Sequence, residues 1–285
     1  MAMPGRMIRG ASCAALLIQR FNWMISTLVR NRELLWALSK REVAARFKGS
    51  YGGLSWYVIQ NLLLLALYSF IFGSLFKSHW ARPGHAHGNY TLTLFMGLII
   101  FNIFSECITR APTLILGNTN YVKKVVFPLE ILPAIQLMAS VFNAFIATLV
   151  LVVMAFFLNA SVFWQGLWLP LIVLPLLVMI LGFSWFLSAF GTYVRDVNQV
   201  VTLLISAVMF LSPLFYQISS LPEKIRPYID LNPLTIPMEE ARGALLFGET
   251  PDFGVLAIYS CISIGVAVLG FVFFQKARRG FPDVL

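Results

Sequence analysis

The sequence predicts an all-α polytopic membrane protein: six transmembrane helices, an N-terminal cytoplasmic amphipathic interface helix, and short outer re-entrant helices between spans five and six. Three observations carry that reading. The 285 residues are 59% hydrophobic and 12% charged, with a mean hydropathy of +0.81, whereas a soluble domain carries about 25% charge. Six apolar runs reach or approach the roughly 20 residues that cross a bilayer: Trp56–Phe76, Tyr90–Thr109, Pro133–Leu158, Trp168–Thr192, Val200–Tyr216 and Gly254–Gln275. Finally, the basic residues segregate. With both termini inside, sixteen of the 21 Lys and Arg fall in inner segments and only Lys77, Arg82, Lys224, Arg226 and Arg242 in outer ones, the bias of cytoplasmic loops. That bias also explains the net charge of +9, so no nucleic-acid partner is implied.

Residues 1–55 read as a cytoplasmic arm and interface helix, and 56–285 as the transmembrane domain. Near the start, Ala11 to Ile18 is too short to span and lacks a small-residue cleavage site, which argues against a signal peptide. From Glu33 to Lys48 there is neither Gly nor Pro, and a helix is expected. Its Leu34, Leu35, Leu38 and Ala45 form one stripe and Trp36, Val43 and Phe47 another, with Lys40, Arg41, Arg46 and Lys48 between them. A helix held between lipid and protein has such a pattern. The charges end at a Gly-containing turn, because carrying them into hydrocarbon would cost a few kcal/mol each or more.

The inner connection from Ile108 to Leu132 holds Lys123-Lys124-Val125-Val126-Phe127-Pro128-Leu129-Glu130. Apolar residues on such a loop pack either on the membrane or on a cytoplasmic subunit, and composition does not separate the two. Span five is short and meets Pro213. The segment from Gln217 to Phe253, with five prolines, is too polar to span and too apolar for a loose loop. Its Leu234 to Phe247 portion is expected to be a short helix with Glu239, Glu240 and Arg242 exposed. Non-helical backbone at membrane depth requires cover by protein or water.

Several chemistries lack their residues. No Gly-x-x-x-x-Gly-Lys-Ser/Thr occurs, so the chain has no P-loop of its own. His79, His85 and His87 share one outer loop without an accompanying acid or Cys. Cys13, Cys107 and Cys261 have no ligand spacing and are expected to be small apolar fillers. No nucleophile stands beside a base, and neither catalytic nor metal residues are assigned. Within the spans, Asn102, Glu106 and Arg110 recur on one face, and Glu106 and Arg110 have the favourable i, i+4 order for an ion pair. Tyr57, Asn61, Tyr68 and Phe72 share a face of span one. Gln136, Ser140 and Asn143 share a face of span three, and Thr202, Ser206, Met209 and Pro213 a face of span five. Such stripes serve helix packing or line a path on which sugars stack, and both readings stand.

Taken together, the motifs resemble the polysaccharide-export branch of the ABC-2 type transporter permeases. Arg41-Glu42-Val43, Arg46-Phe47-Lys48, Ser50, Gly53 and Trp56 are similar to that family's opening motif. Lys123 to Pro133 resembles its cytoplasmic coupling segment, Tyr193-Val194-Arg195-Asp196 the loop between spans four and five, and Leu211 to Tyr216 the end of span five. Leu231-Asn232-Pro233-Leu234-Thr235, followed by Glu239, Glu240 and Arg242, resembles its outer re-entrant segment. The closing Arg278-Arg279-Gly280-Phe281-Pro282-Asp283-Val284-Leu285 is most similar to O-antigen exporters. One departure is Gly49 with Gly52-Gly53, where bulkier residues are expected.

The resemblance implies the permease of a bacterial inner-membrane exporter of lipid-linked polysaccharide, in which a homodimer works with two copies of a P-loop ATP-binding subunit. ATP and Mg would be bound by that partner, and the chain itself carries no cofactor. It further implies ATPase coupling through Lys123, Lys124, Phe127, Pro128 and Glu130. Lipid-headgroup entrance would lie at Arg41, Arg46 and Lys48, residues that positive-inside bias alone also explains. Channel-lining residues would be Tyr57, Asn61, Tyr68, Phe72, Ser206, Met209 and Tyr216. O-antigen on undecaprenyl pyrophosphate is the leading substrate, with capsular polysaccharide or teichoic acid next. A small-molecule exporter and a membrane-embedded glycosyltransferase are the alternatives of other classes.

Overall fold

A computed structural model describes residues 23–47, 53–71, 80–82, 85–123, 127–158 and 160–284. Its elements are helices, apart from one antiparallel pair, β1 (Trp80–Arg82) and β2 (His85–Gly88). Helical residues 23–30 lead into α1 (Arg32–Phe47), close to the Glu33–Lys48 expected. Then come α2 (Gly53–Tyr68), α3 (Tyr90–Arg110), α4 (Thr119–Lys123), α5 (Leu132–Phe157), α6 (Leu169–Tyr193) and α7 (Val197–Leu211). The chain closes with α8 (Arg226–Asp230), α9 (Thr235–Arg242), α10 (Phe253–Ala277) and α11 (Phe281–Val284). Inner and outer are used below in the sense that the basic residues predict.

Four helical stretches among the described residues are long and apolar enough to cross a membrane: Tyr90–Thr113, Leu129–Phe157, Trp164–Tyr193 and Phe253–Gly280. The other two expected spans are helices too, but shorter: Ser55–Ile71 and Val197–Leu211. The 15 residues of α7 reach about 23 Å, against roughly 30 Å of hydrocarbon. Proline sets that limit. Ser212 precedes Pro213, whose ring drives the residue before it out of the helical region, and Ser212 is extended at φ −82°, ψ 148°.

Local chemistry fixes the other ends. The Asn89 side chain accepts from the Thr91 and Leu92 N–H groups at the start of α3, and Asp252 does the same for Gly254 and Val255 of α10; each satisfies donors that have no partner within the helix. A proline stands in the first turn of α5 and of α6, where its missing N–H costs nothing. Gly53, the first residue of α2, is left-handed at φ +48°, a conformation that glycine adopts without strain. That accounts for one of the unexpected glycines.

The centre of the molecule is α3, in which every residue from Thr91 to Phe101 is buried. Around it pack α5, α6, α7 and α9. Along the other long helices large apolar side chains such as Phe145, Phe156, Leu174 and Leu269 remain exposed, as lipid-facing or subunit-facing surfaces would be. The tightest helix pair is α6 with α10. A Cβ added at Gly270 would run into the Gly182 carbonyl, and one at Gly182 into the Ala267 backbone. Small residues on both helices let the backbones approach this closely.

Substituting Gly270 with Leu should therefore separate α6 from α10. We expect a loss of at least about 2 kcal/mol from overpacking against backbone, read as a lower unfolding midpoint of the detergent-purified protein. Gly265→Leu, on the same helix but with open space around its Cβ position, should leave the midpoint within about 0.5 kcal/mol of wild type.

Candidate functional site: three charge clusters

The buried face of α1 begins apolar and ends charged. Leu35 and Leu38 pack on the cluster around Trp185 and Phe271, and Glu42 and Arg46 follow on the next turns of that face. The Arg46 Nη1 atom lies 2.5 Å from Glu106 Oε1, and Arg110 lies 3.6 Å from Glu42. Glu106 also accepts from Ser140 Oγ at 2.8 Å and from Gln136 Nε2 at 3.4 Å, and Arg110 donates to Gln136 Oε1 at 3.5 Å. A polar layer thus joins α1, α3 and α5 at the inner end of α3. The sequence suggested a local Glu106–Arg110 pair; in the structure Glu106 pairs with Arg46 of α1 instead, and Arg110 lies near Glu42. Arg46 is the better shielded of the two guanidinium groups, 15% exposed against 50% for Arg110, and shielding strengthens an ion pair.

Beside this layer lies a cavity of about 530 Å³ whose wall includes Arg46, Trp56, Tyr57, Asn102, Glu106 and Arg110. Arg46 Nε and Nη2 and Asn143 Oδ1 are buried without a hydrogen-bond partner among the described residues. A smaller cavity of about 350 Å³ separates α1 from the inner loop, with Leu38, Arg41, Glu42 and Tyr121 in its wall.

The second cluster holds the end of that inner loop. Pro128 precedes the tight turn Leu129–Ile131 that opens α5. The buried Glu130 carboxylate accepts from Arg278 Nη1 at 2.9 and 2.7 Å and from Gln275 Nε2 at 3.0 Å. Arg278 Nη2 donates to the Phe127 carbonyl at 3.3 Å, and the fully buried Trp185 indole N–H donates to the Glu130 carbonyl at 2.9 Å. Phe127 stacks on Tyr121 with centroids 4.4 Å apart, and Arg41 donates to the Tyr121 hydroxyl at 2.7 Å. So α1 reaches, through Tyr121 and Phe127, the segment that α6 and the end of α10 grip.

The third cluster is at the outer end. Arg242 was expected to be solvent-exposed and is instead fully buried. Its guanidinium donates to the carbonyls of Thr93 at 2.9 Å, Pro213 at 2.6 Å and Leu214 at 3.3 Å, and pairs with Glu239 at 3.0 Å. The reason is geometric. Where α7 stops at Ser212 and the chain turns, carbonyls are left without helical partners, and a planar fork of five N–H groups can satisfy several at once. Gly97 provides the room, since a Cβ there would collide with the guanidinium. Four other basic residues share the outer side, so the sequence alone does not single out Arg242 for this role.

The remaining sequence-predicted residues fall in different places. Asn61 is buried and donates to the Tyr57 carbonyl at 2.9 Å. It lies with the half-buried Tyr57 and Tyr68 on the side of α2 turned toward the bundle. Ser206 is on the exposed face of α7 and bonds Thr202 O at 3.1 Å; Met209 is half-buried, and the Tyr216 hydroxyl donates to Leu211 O at 2.8 Å. Lys123 closes α4. Lys48, Phe72 and Lys124 lie outside the described residues. Three residues that sequence reasoning left without a role, Trp185, Gln275 and Arg278, complete the second cluster. Among the described residues no group of three or more His, Cys, Asp or Glu could hold a metal ion.

Comparison with known proteins gives one consistent answer. Residues 33–246 match the family described as ABC-2 type transporter. O-antigen export system permease protein RfbA of Klebsiella pneumoniae is 26% identical over 254 residues, covering 89% of this chain and 95% of that protein. A protein of the same name from Myxococcus xanthus is 22% identical, over 91% and 98%. Polysialic acid transport protein KpsM of Escherichia coli is 24% identical, over 81% and 90%.

The first cluster makes a quantitative expectation. Glu106→Ala strands a shielded Arg46, which should cost about 3 kcal/mol, the lower end of the range for breaking a buried pair. Adding Arg46→Ala should recover at least about 1 kcal/mol of that. Unfolding of the four purified proteins in detergent checks this; strictly additive losses would mean that the two side chains do not interact.

Proposed function

This chain belongs to the ABC-2 type transporter family, and from that membership we propose that it is the permease subunit of an exporter that carries a lipid-linked polysaccharide across a bacterial inner membrane. The observation that carries the reading is the kind of relative that aligns over nearly the full length. Permeases named for O-antigen export and for polysialic acid transport both match, and their shared cargo class is a sugar polymer. O-antigen on undecaprenyl pyrophosphate is the first reading, because the RfbA proteins cover more of this chain than KpsM does. Capsular polysaccharide is the second, on the KpsM similarity.

The proposed assembly is a homodimer of six-span protomers with both termini in the cytoplasm and two separate ATP-binding subunits beneath. α2 and α7 are the two short spans, and α8 and α9 re-enter the outer leaflet. In this reading the inner loop around Lys123, Lys124, Phe127, Pro128 and Glu130 receives the motion of the ATPase. α1 acts beside it as a lever, through the Arg41–Tyr121–Phe127 contact. The cavity walled by Arg46 and Arg110 suits an anionic headgroup at the entrance, with Arg41 and Lys48 nearby in sequence. The polymer then moves along a path on which Tyr57, Asn61, Tyr68, Phe72, Ser206, Met209 and Tyr216 are the proposed lining. Aromatic faces accept many sugars by stacking and release each readily. Catalysis is assigned to the partner, not to this chain.

Deleting the chain should abolish surface display of the polymer while lipid-linked polymer accumulates inside; persistent display, or sugar transfer by the isolated protein, would contradict the reading. Lys123→Glu with Lys124→Glu should cut transport-coupled ATP hydrolysis at least fivefold at normal membrane abundance, and unchanged coupling would remove the docking role.

A further inference from the structure

We infer that Arg278 is a positioning residue for energy coupling, tying the inner turn at Glu130 to a rigid α6–α10 strut that ends on the outer segment. The inference rests on the proposed exporter function. Its basis is a continuous chain of contacts. At the inner end Glu130 is gripped twice, by Arg278 and Gln275 at its carboxylate and by Trp185 of α6 at its carbonyl. Arg278 also holds the Phe127 carbonyl, so the turn cannot move relative to the end of α10 without breaking several charge-assisted bonds. Along the middle, α6 and α10 meet backbone to backbone at Gly182 and Gly270, so a displacement of one helix presses directly on the other. Near the outer end the buried Tyr259 of α10 donates its hydroxyl to the Pro233 carbonyl at 2.7 Å, just before α9. α9 in turn packs on α3, α6 and α10 and carries Arg242. A push on the inner turn therefore reaches the outer segment through α6 and α10, beside the route along α5, the helix that the turn directly precedes.

Sites this far apart normally act additively when mutated, and the strut makes a different demand. In the permease co-purified with its ATP-binding subunit and reconstituted in liposomes, polymer exported per ATP hydrolysed should fall at least tenfold in Arg278→Gln, with the KM for ATP unchanged. Tyr259→Phe, which removes one hydroxyl, should lower the same ratio at least threefold. The double variant should be no worse than Arg278→Gln alone, because both break one path. Arg278→Lys should recover part of the loss by keeping the charge without the fork. A ratio unchanged in Arg278→Gln, additive losses in the double variant, or loss of the co-purified ATP-binding subunit would each overturn the inference. Wild-type complex that exports no sugar polymer would instead overturn the functional reading.

Discussion

A charge buried in an apolar chain must be neutralised and fully hydrogen-bonded, because the cost of stranding it is several kcal/mol. Three guanidinium groups here are neutralised by carboxylates, Arg242 fully buried, Arg46 largely shielded with two donors left over and Arg278 34% exposed, and each binds elements distant in sequence. Arg46 joins α1 to α3, Arg278 joins the end of α10 to the turn before α5, and Arg242 joins α9 to α3 and to the chain just after α7. Apolar packing has little directional preference within lipid, where the hydrophobic drive between helices is absent. Polar contacts of this kind are directional. They set where α1 lies, where the inner turn is held and how deep the outer segment sits.

The positions of these clusters relate to the proposed work. An exporter driven by a separate ATPase needs one part that accepts a push and another that opens, with something stiff between them. The inner turn at Glu130 is held from α6 and α10, and the outer segment is held by Arg242 and Tyr259. The close α6–α10 contact at Gly182 and Gly270 lies between the two. By contrast α2 and α7, the shorter apolar helices, keep broad exposed faces with Leu63, Leu67, Leu203 and Phe210. Those faces are the surfaces that a second protomer or lipid would cover.

Much of the fold was legible because its signals are local. Long apolar runs located α3, α5, α6 and α10 to within a few residues, and Pro213 marked the early stop of α7. The resemblance to ABC-2 permeases, carried by short motifs in order, agrees with the family match over residues 33–246. The partners of the buried charges were not legible. Spacing shows only which residues share a helix face, so Glu106 was given to Arg110 four positions on, whereas its partner is on another helix. Arg242 lies in a segment whose polarity suggests water, and only the carbonyls freed beyond α7 explain its burial. Arg278 read as one more inner basic residue, because nothing near it in sequence points to Glu130.

The central claim is that guanidinium groups bonded across the bundle, and not apolar packing alone, hold particular segments in place. Hydrogen exchange on the purified Arg242→Gln protein tests it most directly. The account predicts lost protection confined to residues 212–216 and 235–247, with the inner turn and the α6–α10 contact protected as in wild type. Unchanged protection of the outer segment would contradict it, and so would a uniform loss along the whole chain.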